Sequence, residues 1–407
     1  MVDYIKDFED NGTLPFAFPT DSRKIIKVIG VGGGGGNAVN NMYHAGIHDV
    51  VFVVANTDQQ ALAGSEIPIK LQLGRETTKG LGAGNDPAVA KAAAEESMDE
   101  IKAQFNDETQ MVFITAGMGG GTGTGAAPVI ARCAKEMGIL TVGIVTIPFR
   151  FEMKPKIMQA LRGVKEMSQH VDALLVISNE KLLEIYPKMN VTEGFKRADD
   201  TLTTATKSIA ELITCRGLIN LDFRDVKKIL SNGGVAIMST GLGKGENRIN
   251  QAFESALNSP LLYNNDIYKS KKILFNIYQS ENAEQQLLLD EMNEINYFMD
   301  KFKEKDIEVI WGIAFDPTLT DDVKITVLAT GFGMDSIPMI DEDDQQQTVD
   351  VIDNLYGRGE KKSFSLIDLD DELMENDRLI DAMSASPAYT RTMPERKSIL
   401  ALANPAE

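Results

Sequence analysis

The chain has 407 residues, enough for two or three domains and a sizeable core. It is 43% hydrophobic and 25% charged, as globular proteins are, and its net charge of -19 argues against a protein that embraces a nucleic-acid backbone. No basic region followed by an apolar run opens the sequence, and no apolar run nears the ~20 residues of a membrane span, so a soluble, cytoplasmic protein is expected.

Residues 1–23 mix Pro15, Pro19 and several acids and read as a flexible arm. Ile25–Val31 is β-branched and predicts a buried strand. It runs into Gly30-Val31-Gly32-Gly33-Gly34-Gly35-Gly36-Asn37 and then a helix through Ala45. Val50–Ala55 predicts a second strand, ending in Asn56-Thr57-Asp58, and Ile67–Leu73 a third. After the loop Lys79–Asn85, Asp86 is placed to cap a helix with Pro87 at its first position. Met111–Ala116 reads as a strand, Met118–Gly125 as a glycine turn and Ala126–Met137 as a helix. Leu140–Thr146 is a further strand, residues 154–170 a helix and Ala173–Ser178 a strand. Strands alternating with helices imply a mostly parallel sheet, whose ligands bind at the carboxyl ends of the strands.

From Thr192 to Cys215 the pattern changes. Phe195, Ala198, Leu202, Ala205, Ile209 and Leu212 recur at steps of three and four, one apolar stripe on a long helix. Arg216–Asp225 reads as a loop and the start of another helix. Strands are expected at Gly234–Thr240, Ile273–Tyr278, Glu308–Ile313 and Val323–Ala329, with helices near 246–257 and 284–303. Asp341–Arg378 holds 13 Asp/Glu against 4 Lys/Arg with few apolar residues, the composition of a disordered tether. Ser384–Glu407 regains apolar and basic residues and suits a short peptide that docks on partners. Cys133 and Cys215 read as buried thiols, Trp311 as core, and His44, His48 and His170 show no metal-ligand spacing.

The chemistry gathers at the glycine turns. A strand, a glycine turn and a helix start aim free N–H groups and a positive dipole end at one spot, and Thr122 and Thr124 add hydroxyls. Gly30-x-Gly32-x-x-Gly35 alone is a dinucleotide fingerprint, but the second strand ends in Asn56, not an acid, and a dinucleotide leaves the second glycine turn unexplained. Two such turns and Gly82-Ala83-Gly84 suggest more than two phosphates. With no G-x-x-x-x-G-K-[ST] present, backbone amides, helix ends and a cation must hold them. Phe195, Asp199 and Asp200 admit two readings: a stacking ring and carboxylates that accept from the N1–H and 2-amino edge of guanine, or a core ring and acids at a helix N-terminus. Asp222 and Asp225 likewise read as the cap and first turn of a helix, or as a pair orienting a water. From Asp200 to Cys215 a helix advances ~22 Å. If Asp200 touches a nucleotide, Asp222 can reach one only in another copy, and such a head-to-tail contact builds a filament or a ring.

Gly32–Asn40, Asn56-Thr57-Asp58, Thr78–Gly84, Gly119–Gly125 and Asn220–Asp225 resemble the FtsZ family of bacterial cell-division GTPases, relatives of tubulin. The resemblance runs from about Ile25 to Gly333, and Gly119–Gly125 resembles the tubulin signature itself. It implies an α/β fold: a Rossmann-like tubulin-type GTPase domain (24–191), a long central helix (192–215), a smaller α+β C-terminal domain (216–333), an acidic disordered linker (334–383) and a docking peptide (384–407). It implies GTP or GDP bound by Gly33, Gly34, Gly35, Gly36 and Asn37, by Ala83 and Gly84, and by Gly120, Gly121, Thr122, Gly123 and Thr124. Glu152 is expected at the ribose, with Lys156, Phe195, Asp199 and Asp200 around the nucleotide. Asn220, Asp222 and Asp225 would complete the hydrolytic site of the neighbouring copy, and Mg²⁺ would be held mainly by phosphates and water.

The implied function is a GTPase that polymerises with itself into the division ring, in the cytoplasm beneath the membrane at mid-cell, without inserting into the bilayer and without binding nucleic acid. Membrane tethers and regulators would dock on the tail. Lys156 stands where the family commonly has Arg, which keeps the charge and loses the planar fork. Ser386–Arg391 resembles the family's tail peptide loosely, and sixteen residues follow it. Two rivals are a nonpolymerising NAD-dependent oxidoreductase and a filament protein that binds GTP without turnover.

Overall fold

The computed structural model describes residues 24–332, apart from 48, 187, 215–216, 220, 259–266, 284–285 and 304, together with 375–385, 395, 398–399 and 402–403. The chain divides into two units, Met1–Val351 and Ile352–Glu407.

In the first unit the β-branched runs become strands and the segments between them helices. In order these are β1 (Ile26–Val31), α1 (Gly32–His44), β2 (Val50–Asn56), α2 (Gln59–Ala63), β3 (Ile69–Gln72), α3 (Arg75–Thr78), α4 (Pro87–Glu96) and α5 (Met98–Ala103). Then come β4 (Met111–Gly117), α6 (Gly121–Glu136), β5 (Leu140–Ile147), α7 (Lys154–His170), β6 (Ala173–Ser178), α8 (Asn179–Ile185) and α9 (Val191–Thr214). The remainder is β7 (Gly217–Ile219), α10 (Phe223–Leu230), β8 (Gly234–Gly243), α11 (Arg248–Leu257), β9 (Lys272–Gln279), α12 (Glu291–Lys303), β10 (Glu308–Phe315) and β11 (Val323–Phe332).

The strands lie in the order β3-β2-β1-β4-β5-β6-β8-β11-β9-β10-β7. From β3 to β6 every neighbour is parallel, so the carboxyl ends of β1, β2, β4, β5 and β6 share one edge. Beyond β6, β11 runs antiparallel to β8 and β9. Hydrogen bonding passes from β6 to β8 over three pairs, Ala173 with Gly234, Leu174 with Val235 and Leu175 with Ala236, so the two sheets expected from sequence join into one. Leu202, Ala205, Ile209 and Leu212 of α9 share a core with Val28, Phe113 and Ile144 on one side and Ile229, Ala236 and Leu328 on the other.

Several elements depart from the sequence reading. Most of both glycine runs lies inside helices: α1 starts at Gly32 and α6 at Gly121, not at Ala126. Packing explains it, because a Cβ on Gly123 would sit 2.5 Å from the Gly117 carbonyl and one on Gly125 2.1 Å from that of Pro87. Local propensity disfavours glycine in a helix by only ~1 kcal/mol, and so close an approach admits nothing larger. Phe195 leaves the buried stripe of α9 and is 41% exposed. Trp311 is half-buried, stacked on Phe275 with ring centres 6.2 Å apart. β7, read as loop, adds an edge strand against β10. Cys133 is buried, which pushes its thiol pKa up, and Cys215 lies outside the described residues.

In the second unit, residues Asp377–Ser384, which run from the end of the acidic stretch to the first residue of the expected docking peptide, form a helix capped by Asn376, whose Oδ1 accepts from Leu379 N at 3.2 Å. Leu379, Ala382 and Met383 fall on one face and pack with Ile399, Leu402 and Ala403. That small apolar cluster is what mean composition hides. The arm at 1–23, His48, Ser386–Arg391 and the rest of the expected tether lie outside the described residues.

Candidate functional site

Two helices begin side by side with no side chain capping either. The N-cap of α1 is Val31 and that of α6 is Gly120, and neither makes a side-chain cap hydrogen bond. The first N–H groups of a helix have no partner within it, so two bare N-termini are a place for an anion. They touch: a Cβ on Gly32 (φ +73°) would lie 2.9 Å from the amide nitrogen of Gly123. A third glycine segment closes on them. Asp86 caps α4 by accepting from Ala88 N at 2.8 Å, with Pro87 at the first position. A Cβ on Gly121 would meet Asp86 N at 2.9 Å and the Ala83 methyl at 3.1 Å.

The glycines therefore have two jobs. Gly30, Gly35, Gly121, Gly123 and Gly125 are hemmed in by backbone, Gly35 with the Thr115 carbonyl 2.3 Å from where a Cβ would be. Gly33, Gly36, Gly84 and Gly120 have nothing within 4 Å of that point and border open space. Gly34 lies over Gly117, and Asn37 is exposed. The threonines differ as well. Thr122 Oγ1 lies 2.7 Å from Thr57 Oγ1, whereas Thr124 is buried with its hydroxyl accepting from Gly119 N at 2.9 Å, inside the turn. Gln159 of α7, which the sequence reading missed, donates to the carbonyls of Gly119 (3.1 Å) and Asn85 (3.3 Å) and links two of the glycine segments.

Beyond β5 the chain makes a 3-10 turn, Arg150–Glu152, and begins α7. Glu152 accepts from Phe149 N at 2.9 Å and pairs with Lys156 Nζ at 2.6 Å, so ribose candidate and adjacent cation hold each other. The Lys156 stem lies against Gly119, its Cγ 3.0 Å from a Cβ there. Between them Met153 adopts φ +77°, ψ +151°, a region populated essentially by glycine, with its side chain 69% exposed. Its carbonyl accepts from Lys156 N and Ile157 N, both at 3.2 Å, and so starts α7.

Phe195 stands edge-on to Phe149 (5.5 Å) and Phe151 (6.1 Å), which stack on each other at 5.1 Å. One turn on, burial pushes the Asp199 pKa up to about 7, aided by the neighbouring charge of Asp200. Asp200 lies 3.8 Å from Arg197. Asn179, also missed, follows β6 directly; it is 5% exposed and its Oδ1 finds no hydrogen-bond partner among the described residues. A buried amide at the carboxyl end of a parallel strand, beside β5, is the signal that could have found it.

Asn56 at the end of β2 spends its Oδ1 on Asp58 N at 3.2 Å, and Asp58 caps α2. No acid is placed there as a dinucleotide ribose would require. Asp222 and Asp225 lie apart from all of this. They follow β7, at the sheet edge opposite β3, and α9 advances ~21 Å from Asp200 to Thr214 before the chain reaches them. They form a capping box: Asp222 Oδ1 accepts from Asp225 N at 2.9 Å and Asp225 Oδ2 from Asp222 N at 3.2 Å. Gly217 seats the preceding strand, since a Cβ there would lie 1.9 Å from the Ile313 carbonyl. Asn220 lies outside the described residues. Among the described residues no three His, Cys, Asp or Glu side chains are placed to hold a metal ion.

A parallel sheet with bare helix N-termini at its carboxyl edge has the form of a nucleotide-binding fold. Residues 25–187 match the family model described as Tubulin/FtsZ family, GTPase domain, and residues 234–333 that described as FtsZ family, C-terminal domain. The chain is 51% identical over 393 residues to cell division protein FtsZ of Porphyromonas gingivalis, covering 90% of this chain and 85% of that protein. It is 47% identical over 310 residues to the Coxiella burnetii protein of that name, covering 76% and 79%. The solved structure titled "FtsZ dimer, empty (M. jannaschii)" superposes with a TM-score of 0.69 at 41% identity, covering 75% of this chain and 88% of that one. The chain belongs to the FtsZ family of tubulin-like GTPases. It is a cell-division GTPase that polymerises to form the septal ring, and it binds GTP and GDP.

Proposed function

We propose that GTP lies with its phosphates against the N-termini of α1 and α6, and that each site is completed by Asp222 and Asp225 of a second copy. The observation that carries this is the contact between two uncapped helix starts, lined by Gly33, Gly34, Gly36, Gly84 and Gly120, with Gly121, Thr122 and Gly123 contributing amides. Gly35 and Thr124 act behind the surface by letting the turns pack. Glu152 takes the ribose and Lys156 holds Glu152. Phe195 offers its ring to the base. Asn179 and Asp199 supply acceptors for the N1–H and 2-amino edge of guanine, which adenine lacks.

These glycine turns present N–H donors rather than carboxylates, so Mg²⁺ is held by the phosphates and water, as that ion's octahedral, water-rich preference allows. When bound it neutralises charge developing on the phosphates. Asp222 and Asp225, about one helix length from the base-binding end of α9, orient the attacking water on the next copy's nucleotide. Each already accepts from a backbone N–H, which holds the carboxylates still. The chain divides for this work into a nucleotide domain (24–191), the central helix (192–215) and a C-terminal domain (216–333). The acidic tail tethers a docking segment for membrane anchors and regulators, and the filaments work in the cytoplasm at mid-cell.

The test is phosphate release from GTP against protein concentration with Mg²⁺, for the parent and Asp222→Ala. Turnover is expected to be negligible below a threshold and to rise steeply above it. Asp222→Ala should bind GTP and poison mixed polymers. Specific activity that stays flat on dilution would mean that each monomer carries a complete site.

A further inference from the structure

Thr57 has no direct place at the proposed site, yet it is the node beneath it. It follows β2 and is 0% exposed. Its carbonyl accepts from Gln72 Nε2 (3.0 Å), Thr78 Oγ1 (3.2 Å) and Gly82 N (3.3 Å), which ties the loop before Ala83 and Gly84 to the end of β2. Its hydroxyl meets the hydroxyl of Thr122, 65 residues on in the first turn of α6, at 2.7 Å.

Two hydroxyls share that contact and have two protons between them. One proton lies in the bond. The other belongs to whichever oxygen accepts, and it needs an acceptor of its own. Were Thr122 the donor, the leftover proton would sit on Thr57, sealed inside the fold, where an unmet donor is costly. Were Thr57 the donor, the leftover proton would sit on Thr122, which is only half-buried and lies at the bare start of α6. The second arrangement is the stable one. We infer that Thr57 is a positioning residue: by donating to Thr122 it fixes the Thr122 rotamer and commits the Thr122 hydroxyl to donate outward, to a phosphate oxygen of the bound nucleotide. The inference rests on the phosphate site proposed above. It accounts for a threonine rather than a valine in a fully buried position at the end of a strand.

The test uses the full chain and a fluorescent GDP analogue. Thr57→Val keeps the shape and removes the donor, whereas Thr57→Ser keeps the donor and removes a methyl group. Thr57→Val is expected to weaken nucleotide binding about tenfold and Thr57→Ser less than about twofold. Thr57→Val/Thr122→Val should bind no more weakly than Thr122→Val. Without nucleotide, Thr122→Val leaves the Thr57 donor buried and unmet, so the double variant should melt above Thr122→Val alone. Parent-like binding by Thr57→Val beside weakened Thr122→Val would overturn the inference and leave the phosphate site standing. Thr57→Ser as weak as Thr57→Val would also overturn it, as packing alone would then explain the residue. Parent-like binding by Thr122→Val would remove the phosphate site from this turn.

Discussion

The starts of α1 and α6 and the start of α10 are solved in opposite ways. At α10 two aspartates cap the helix reciprocally, Asp222 accepting from Asp225 N and Asp225 from Asp222 N, so side chains meet two of the N–H groups there. At α1 and α6 no side chain caps the helix, and glycine packing brings the two bare ends together. Leaving such groups unmet costs stability, and it persists where a ligand repays the cost. One protein thus keeps an open donor site at one end of its long helix and a pre-set pair of acceptors at the other. On the proposed reading neither half is a hydrolytic site without the other, and a single copy holds them apart.

The contrast breaks most sharply at Asp222. Asp222→Ala should lower GTP turnover about a thousandfold while nucleotide affinity stays near that of the parent. Loss of the cap should take about 1 kcal/mol from stability. Turnover assays and equilibrium unfolding on one preparation check both, and a matching loss of nucleotide affinity would mean that Asp222 serves its own chain's nucleotide.

The glycines separate into packing and binding. Gly35→Ala drives a methyl into the Thr115 carbonyl and should destabilise the fold by about 3 kcal/mol in urea. Gly33→Ala, with open space around it, should leave stability unchanged or raise it by up to ~1 kcal/mol while weakening GTP binding at least ~tenfold. If Gly33→Ala binds GTP normally, the start of α1 is not a phosphate site.

Met153→Gly should raise stability by about 1 kcal/mol, since it relieves a backbone region costly to other residues and gives up an exposed side chain. Thermal unfolding reads it directly, and a loss of stability would show that the conformation carries little strain.

The smallest effect concerns pH. The folded chain keeps Asp199 protonated up to about pH 7, whereas the unfolded chain releases that proton near pH 4. The folded state therefore holds more protons across that window, and the Asp199 contribution to the stability of nucleotide-free protein is present below pH 4 and falls as pH rises towards 7. Asp199→Asn should flatten that decline. Parallel stability curves for parent and variant would refute it.

Much of this was written locally. The alternation of β-branched runs with helical stripes announced a parallel sheet, and Asp86-Pro87 and Asp222-x-x-Asp225 announced helix starts, because periodicity and capping depend on neighbours a few residues apart. The glycine runs pointed to helix-start turns, and from them to the proposed anion site, for the same reason. Their extent did not follow: propensity stops a helix at glycine, while the carbonyls of Gly117, Pro87 and Thr115 press so close that glycine is what α1 and α6 must contain. Phe195 fits the apolar stripe of α9 by spacing, but Phe149 and Phe151, more than forty residues earlier, draw it out to the rim. Asn179 and Thr57 show locally only that they follow strands, and Gln159 shows nothing. Their roles arise from contacts across the fold, such as the hydroxyl pair of Thr57 and Thr122, and only packing in three dimensions brings such distant residues within hydrogen-bond reach.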